Sequence, residues 1–214
     1  MNNIGRLSTP HIYTAFLSLS TLFFLNCSSE PVITKAEGTF TISIVSMSEW
    51  GGVPATTPGI EHKVTKLTLH HGGEDWEEGR DQEEYLRNLQ SWSRSERNWI
   101  DIPYHYMIGL DGTIYEARDP KYMGDTNTDY DPNGHLLTCL MGNYENRKPT
   151  VEQLEALINL LVWQCEVFDI EPESLKGHRD YAETACPGRY LYPYVKSEFL
   201  IRHVKSRMGK VIRK

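Results

Sequence analysis

Apolar and polar positions along the chain alternate between two periods. Val64-Thr65-Lys66-Leu67-Thr68-Leu69 is β-branched and apolar, which predicts a buried strand that stops at His70-His71-Gly72-Gly73. From Asp81 to about Arg94, Tyr85, Leu86 and Leu89 share one helical face. Strands are expected at Tyr104–Gly109 and Thr113–Ala117, flanking Leu110-Asp111-Gly112, because Asp-Gly tolerates the positive φ of a tight hairpin turn. Leu136–Met141 is a further short apolar strand. Thr150-Val151-Glu152-Gln153 offers a capping box, and Leu154, Leu157, Ile158, Leu161, Cys165 and Phe168 behind it recur at helical spacing. A last helix is expected after Pro187-Gly188, carrying Tyr192, Val195, Phe199 and Val204. Strands interleaved with helices predict an α/β domain, a mostly mixed central sheet flanked by α-helices.

The first residues follow another rule. Arg6 is the only Lys or Arg before Lys35, and an apolar run from Tyr13 to Leu25 follows it. The run is shorter than the about 20 residues a membrane-crossing helix needs, so it reads as a secretory signal. We therefore divide the chain into a signal at residues 1–26, a polar tether at 27–40, a folded domain at 41–208 and a basic tail at 209–214. With 214 residues, 39% hydrophobic and 24% charged, the composition supports one globular domain. The net charge of −7 argues against nucleic acid as a partner, because phosphate binding needs clustered positive charge. The cysteines, Cys27, Cys139, Cys165 and Cys186, are too few for a disulfide scaffold. Cys139 and Cys165 could pair with each other or remain small buried thiols.

Three features carry chemistry. His70 and His71 end a buried strand, where a side chain can project into a cleft. His178 and Cys186 flank the loop from Arg179 to Ala185, and Tyr104-His105 opens the hairpin. His and Cys are the side chains zinc prefers, and three protein ligands plus a water make a catalytic zinc site. Spacing alone supports a mononuclear site as one reading and no more, since each histidine taken singly reads first as structural and Cys186 alone as an ordinary buried thiol.

Taken in order, the segments resemble the type 2 N-acetylmuramoyl-L-alanine amidases, the superfamily that includes the peptidoglycan recognition proteins. Ser48-Glu49-Trp50-Gly51-Gly52 looks like the family's opening tryptophan-glycine, and Leu69-His70-His71 like the strand ending in its first zinc ligand. The stretch Asp101–Ile108 followed by Asp111–Arg118 looks like its tyrosine-histidine hairpin. Gly177-His178-Arg179-Asp180 and Thr184-Ala185-Cys186-Pro187-Gly188 look like the segment with the remaining ligands. The resemblance spans nearly the whole folded domain.

It implies a zinc hydrolase that cuts between the lactyl group of N-acetylmuramic acid and L-alanine of the stem peptide. His70, His178 and Cys186 would hold Zn2+. Tyr104 would hydrogen-bond the attacking water or the oxyanion, and Thr184 would face the scissile carbonyl. His71 would line the cleft, and His105 would be core or a support to the site. Where some branches carry a glutamate base this chain has Cys139, which places it with the tyrosine-based branch and leaves the base open. The implied partner is peptidoglycan or its muropeptides, met by a monomer. The end of the apolar run, Leu25-Asn26-Cys27-Ser28-Ser29, resembles a bacterial lipoprotein signal with lipidation at Cys27. Export to the cell envelope, with a lipid anchor as the only membrane contact, follows; plain secretion with Cys27 discarded is the alternative.

A non-catalytic peptidoglycan-binding lipoprotein is the rival function, and Cys186 argues against it, because relatives that bind without cutting typically lack that cysteine. A zinc protease would need a pattern such as His-Glu-x-x-His, which the chain lacks. The anchor is tested by replacing Cys27. Wild type should fractionate with membranes, and Cys27→Ala should lose its acyl chains, since stable anchoring takes more than one. A mature N-terminus beyond Cys27 in mass spectrometry would refute lipidation.

Overall fold

The computed structural model describes residues 40–213, with side chains for residues 41–210. The expected signal, Cys27 and the tether before residue 40 lie outside the described residues. Two short parallel strands, β1 (Phe40–Ile42) and β8 (Val211–Arg213), pair with each other. The segment expected to be a tail thus supplies a strand. The main sheet contains β2 (Ile44–Val45), β3 (Lys66–His71), β4 (Tyr106–Ile108), β5 (Ile114–Glu116), β6 (His135–Leu140) and β7 (Lys176–Gly177). Its order is β2-β5-β4-β6-β3-β7. Every pair is parallel except the β4–β5 hairpin, so the sheet is mixed.

The hairpin turns at Asp111-Gly112. Gly112 has φ 85°, and Asp111 Oδ1 accepts from Thr113 N at 2.9 Å. The other connections are crossovers. One contains α1 (Gln82–Glu96), which Asp81 caps by accepting from Glu83 N and Glu84 N. Another contains α2 (Val151–Phe168), which begins at the full capping box of Thr150 and Gln153.

Period-two alternation sends side chains to opposite faces of the sheet. Leu67, Leu69, Leu136, Leu140, Tyr106 and Ile108 pack with Leu154, Leu157, Ile158 and Leu161 of α2. Met107, Tyr115, Cys139 and Met141 pack with Tyr85 and Leu86 of α1 and with Trp50. Trp50 is fully buried, and its Nε1 donates to Glu116 O at 2.6 Å. Cys139 and Cys165 are both free and lie in the two separate clusters, so they do not pair.

Two expectations are corrected. The last helix is two helices, α3 (Tyr192–Lys196) and α4 (Phe199–Arg207), because Glu198 adopts φ 59° and breaks the run. The strand expected from Tyr104 begins at Tyr106, so strand alternation does not govern Tyr104 and His105.

The approach to α3 contains a backbone constraint. Gly188 has φ 99°, and a Cβ there would lie 2.5 Å from the carbonyl carbon of Tyr144. Both the left-handed conformation and the close approach require glycine. Gly188→Ala should therefore cost about 1–3 kcal/mol and shift the adjacent Cys186 loop. Thermal unfolding together with metal content measures both effects, and an unchanged melting temperature would contradict the reading.

Candidate metal centre

Parallel strands direct their carboxyl ends to one edge of a sheet, where ligand sites form. His70 is the next-to-last residue of β3, and His178 directly follows β7, which pairs with β3 at Leu69↔Gly177. The two imidazole centroids are 4.6 Å apart. Cys186 returns to them at the end of the loop. Arg179 holds that loop by donating to the carbonyls of Ala185 and Cys186, and Asp180 Oδ2 accepts from Gly177 N at 2.8 Å. The ligand atoms of His70, His178 and Cys186 all lie within 4.8 Å of one another, and all three residues are buried.

The donor set fits a zinc ion. His70 Nδ1 is 3.6 Å from Cys186 Sγ. Two ligands on a tetrahedral zinc, with Zn–N near 2.0–2.1 Å and Zn–S near 2.3 Å, would be about 3.6 Å apart. His70 Nε2 is buried without a hydrogen-bond partner. Burial pushes the Cys186 thiol up to about 12, with the His71 N–H, 3.4 Å from Sγ, pulling weakly the other way. A dication would reverse that balance, because a coordinating thiol is deprotonated outright. Burial holds the His70 imidazole well below the usual histidine range and His178 at about 4, so both are neutral, as ligands must be.

The cluster lies in a cleft of about 280 Å³. Tyr104 faces it, with its ring centroid 5.1 Å from that of His70. Burial pushes the Tyr104 phenol well above its ordinary value, with the Cys139 and Cys186 sulfurs adding to the shift. Thr184 lines the same cleft, and its Oγ1 accepts from Cys186 N at 3.2 Å. His71 is in the lining too, and its Nδ1 accepts from Tyr144 N at 3.1 Å. Trp92 and Trp99 border the cleft as well. Trp76 packs edge-on against Tyr85, and Tyr122 lies elsewhere. His105 is fully buried and satisfied, bonded to Tyr122 O at 3.0 Å and to Leu137 N at 2.8 Å.

Sequence reasoning did not give the surroundings of the site. Cys139 stands opposite His70 in the β3–β6 register, donates its thiol proton to Leu140 O at 3.6 Å, and belongs to the cluster against which Tyr104 packs. The loop carrying Asp125, Thr126, Asn127 and Thr128 forms one cleft wall. Arg118 fastens that loop, pairing with Asp125 at 2.5 Å and donating to Met123 O at 2.5 Å. Arg118 closes the hairpin motif and Cys139 stands where some branches carry a glutamate, but no local signal gives either one its contacts or points to the loop from Asp125 to Thr128. A larger cavity of about 640 Å³ opens beside His105, Arg118 and Tyr122. Its buried polar groups are already bonded to protein, which leaves the chemistry to the smaller cleft.

Comparison with known proteins gives the chain's relatives. Residues 61–189 match the family described as N-acetylmuramoyl-L-alanine amidase. The chain is 34% identical over 160 residues to peptidoglycan recognition protein 1 of Mus musculus, covering 72% of this chain and 86% of that protein. Among solved structures, Drosophila peptidoglycan recognition protein SD superposes with a TM-score of 0.64 at 31% identity, over 72% of this chain and 92% of that one. Peptidoglycan recognition protein LE, solved in complex with tracheal cytotoxin (monomeric diaminopimelic acid-type peptidoglycan), superposes with a TM-score of 0.65 at 27% identity, over 72% and 92%.

The buried histidines predict a pH dependence. Burial brings His71, His135 and His178 to about 4 and His105 to about 3, against an unfolded value near 6.5. Between those values the unfolded chain binds more protons, so stability is full above 6.5 and falls as pH drops toward 4. The melting temperature of metal-free protein should decline steadily from pH 7 to pH 5, before most carboxylates titrate. A flat profile across that window would show that folding does not hold these rings neutral.

Proposed function

The chain belongs to the N-acetylmuramoyl-L-alanine amidase family, and from that membership we propose that it is a zinc-dependent amidase of peptidoglycan. It hydrolyses the amide bond between the N-acetylmuramoyl lactyl group and L-alanine of the stem peptide. Its place of action is the cell envelope, where it is anchored by lipid at Cys27. The observation that carries the reading is the convergence of His70, His178 and Cys186 in a cleft that also holds Tyr104 and Thr184.

A zinc ion held there supplies Lewis acidity and lowers the pKa of its water to about 7. The chain's own residues then position donors around the scissile carbonyl. The Tyr104 phenol, kept neutral by burial, donates its proton as a hydrogen bond and does not remove one. Tyr104 packs against the buried cluster that contains Cys139, on the sheet side of the cleft. Thr184 Oγ1 already accepts from Cys186 N, so its hydroxyl proton is free to donate into the cleft. His71 is neutral, and its Nδ1 accepts a backbone N–H, so its proton sits on Nε2 as a third donor. Among the residues lining the cleft Asp125 is the one carboxylate, and it is paired with Arg118. The wall therefore offers donors and no free carboxylate base, as expected of the tyrosine-based branch.

The test is digestion of purified muropeptides with products identified by mass spectrometry. Zinc-loaded protein should release free stem peptide from the lactyl group, and a chelator should stop it. Intact muropeptides after incubation with zinc-loaded protein would leave the binding-only reading standing. Tyr104→Phe should retain zinc and fold yet turn over on the order of a hundredfold more slowly, the cost of one oxyanion donor. His178→Ala should lose zinc as well as rate. Wild-type turnover by zinc-loaded Tyr104→Phe would reduce Tyr104 to a packing role.

A further inference from the structure

A histidine binds a metal through one ring nitrogen, and what the other nitrogen bonds to decides which one is presented. The two histidines of this centre differ in that respect. His70 Nε2 has no hydrogen-bond partner. His178 Nε2 is 2.6 Å from Thr128 Oγ1, which leaves Nδ1 as the ring nitrogen available to a metal. Nδ1 can ligate only if it carries no proton, so in the neutral ring the proton must be on Nε2 and Thr128 must accept it. Its surroundings favour that role. Thr128 Oγ1 is 2.7 Å from Thr126 Oγ1, where its own hydroxyl proton can go. Thr126 Oγ1 also accepts from Thr128 N at 3.1 Å, which fixes the hydroxyls relative to each other. The neighbouring rings of His70 and Tyr130, at 4.6 Å and 5.1 Å, restrain the plane of His178 but cannot choose its tautomer.

We propose that Thr128 is a positioning residue of the metal centre, whose hydroxyl holds His178 in the Nε2–H tautomer and thereby sets how tightly zinc is bound. The inference rests on the zinc reading above and deepens it. Its consequence is a coupling within one loop. Thr126, Asn127 and Thr128 form a wall of the cleft, and the same segment supports a metal ligand. A substrate that displaces this wall would also disturb His178.

The experiment measures zinc affinity of the full-length chain by competition with a chromophoric chelator, so that it does not depend on catalysis. Thr128→Val keeps the shape and removes the acceptor, and it should bind zinc about ten- to a hundredfold more weakly, the usual effect of losing such a support. Thr128→Ser restores the hydroxyl and should recover most of that loss. Nitrogen-15 spectra of the zinc-loaded wild type should show His178 protonated at Nε2 and metal-bound at Nδ1. Equal affinity in Thr128→Val and wild type, or metal at Nε2, would overturn the proposal while leaving the amidase reading intact. Should Thr128→Val fail to fold, the spectra and the serine variant decide. A wild-type chain that takes up no zinc would overturn both readings together.

Discussion

The metal centre depends on a pairing only two residues long. β7 meets β3 in parallel at Thr68↔Lys176 and Leu69↔Gly177, and the residue that follows Leu69 and the one that follows Gly177 are both histidines. Parallel register carries both rings to the same edge of the sheet. A slip of one residue would turn His70 to the opposite face, into the apolar layer packed by α2. The pairing is short, and its surroundings reinforce it. Ser174 Oγ accepts from Leu67 N at 3.3 Å, and Asp180 ties back to Gly177 N while accepting from Tyr192 O–H at 2.6 Å. The third ligand comes from the same segment, since Arg179 fastens the loop that returns Cys186 to His70.

Around this edge the protein assembles groups that are costly to bury alone. A buried thiol, two neutral imidazoles and a phenol pushed far from ionisation have no bound counter-charge among the side chains that line the cleft. Burial strengthens any electrostatic contact they make and keeps them fixed before substrate arrives. The arrangement suits stabilisation of developing negative charge and is poorly suited to abstracting a proton with a side-chain base. Zinc fits because it both relieves the thiol and supplies the positive charge the cleft lacks.

The cleft wall from Asp125 to Thr128 is fastened separately. Arg118, at the end of the β4–β5 hairpin, is buried and bonded to three backbone carbonyls and to Asp125. It acts as a clamp whose cost of burial is offset by four hydrogen bonds, one of them to a carboxylate. The clamp joins the hairpin bearing Tyr104 to the loop bearing Thr128. The catalytic tyrosine of the proposed mechanism and the support of His178 thus share one anchor.

Local sequence determined the elements and the chemistry they carry. Short apolar runs marked β3 and β6, period 3.6 marked α2, Thr150 and Gln153 marked the start of that helix, and Asp111-Gly112 marked the hairpin turn. These signals are legible because each depends on residues a few positions apart. The metal-ligand types were legible as well, through the order of the segments around His70, Tyr104, His178 and Cys186. Tertiary structure alone decided the rest. The sequence marks Cys139 only as the residue standing in place of a glutamate, and register decides that it faces His70 in the cluster against which Tyr104 packs. Thr128 is a loop residue until the sheet brings its hydroxyl to His178, fifty positions along the chain. Glu198 splits the last helix through a backbone conformation its side chain does not announce. Contacts between residues distant in sequence are set by packing and register, and no local periodicity encodes them.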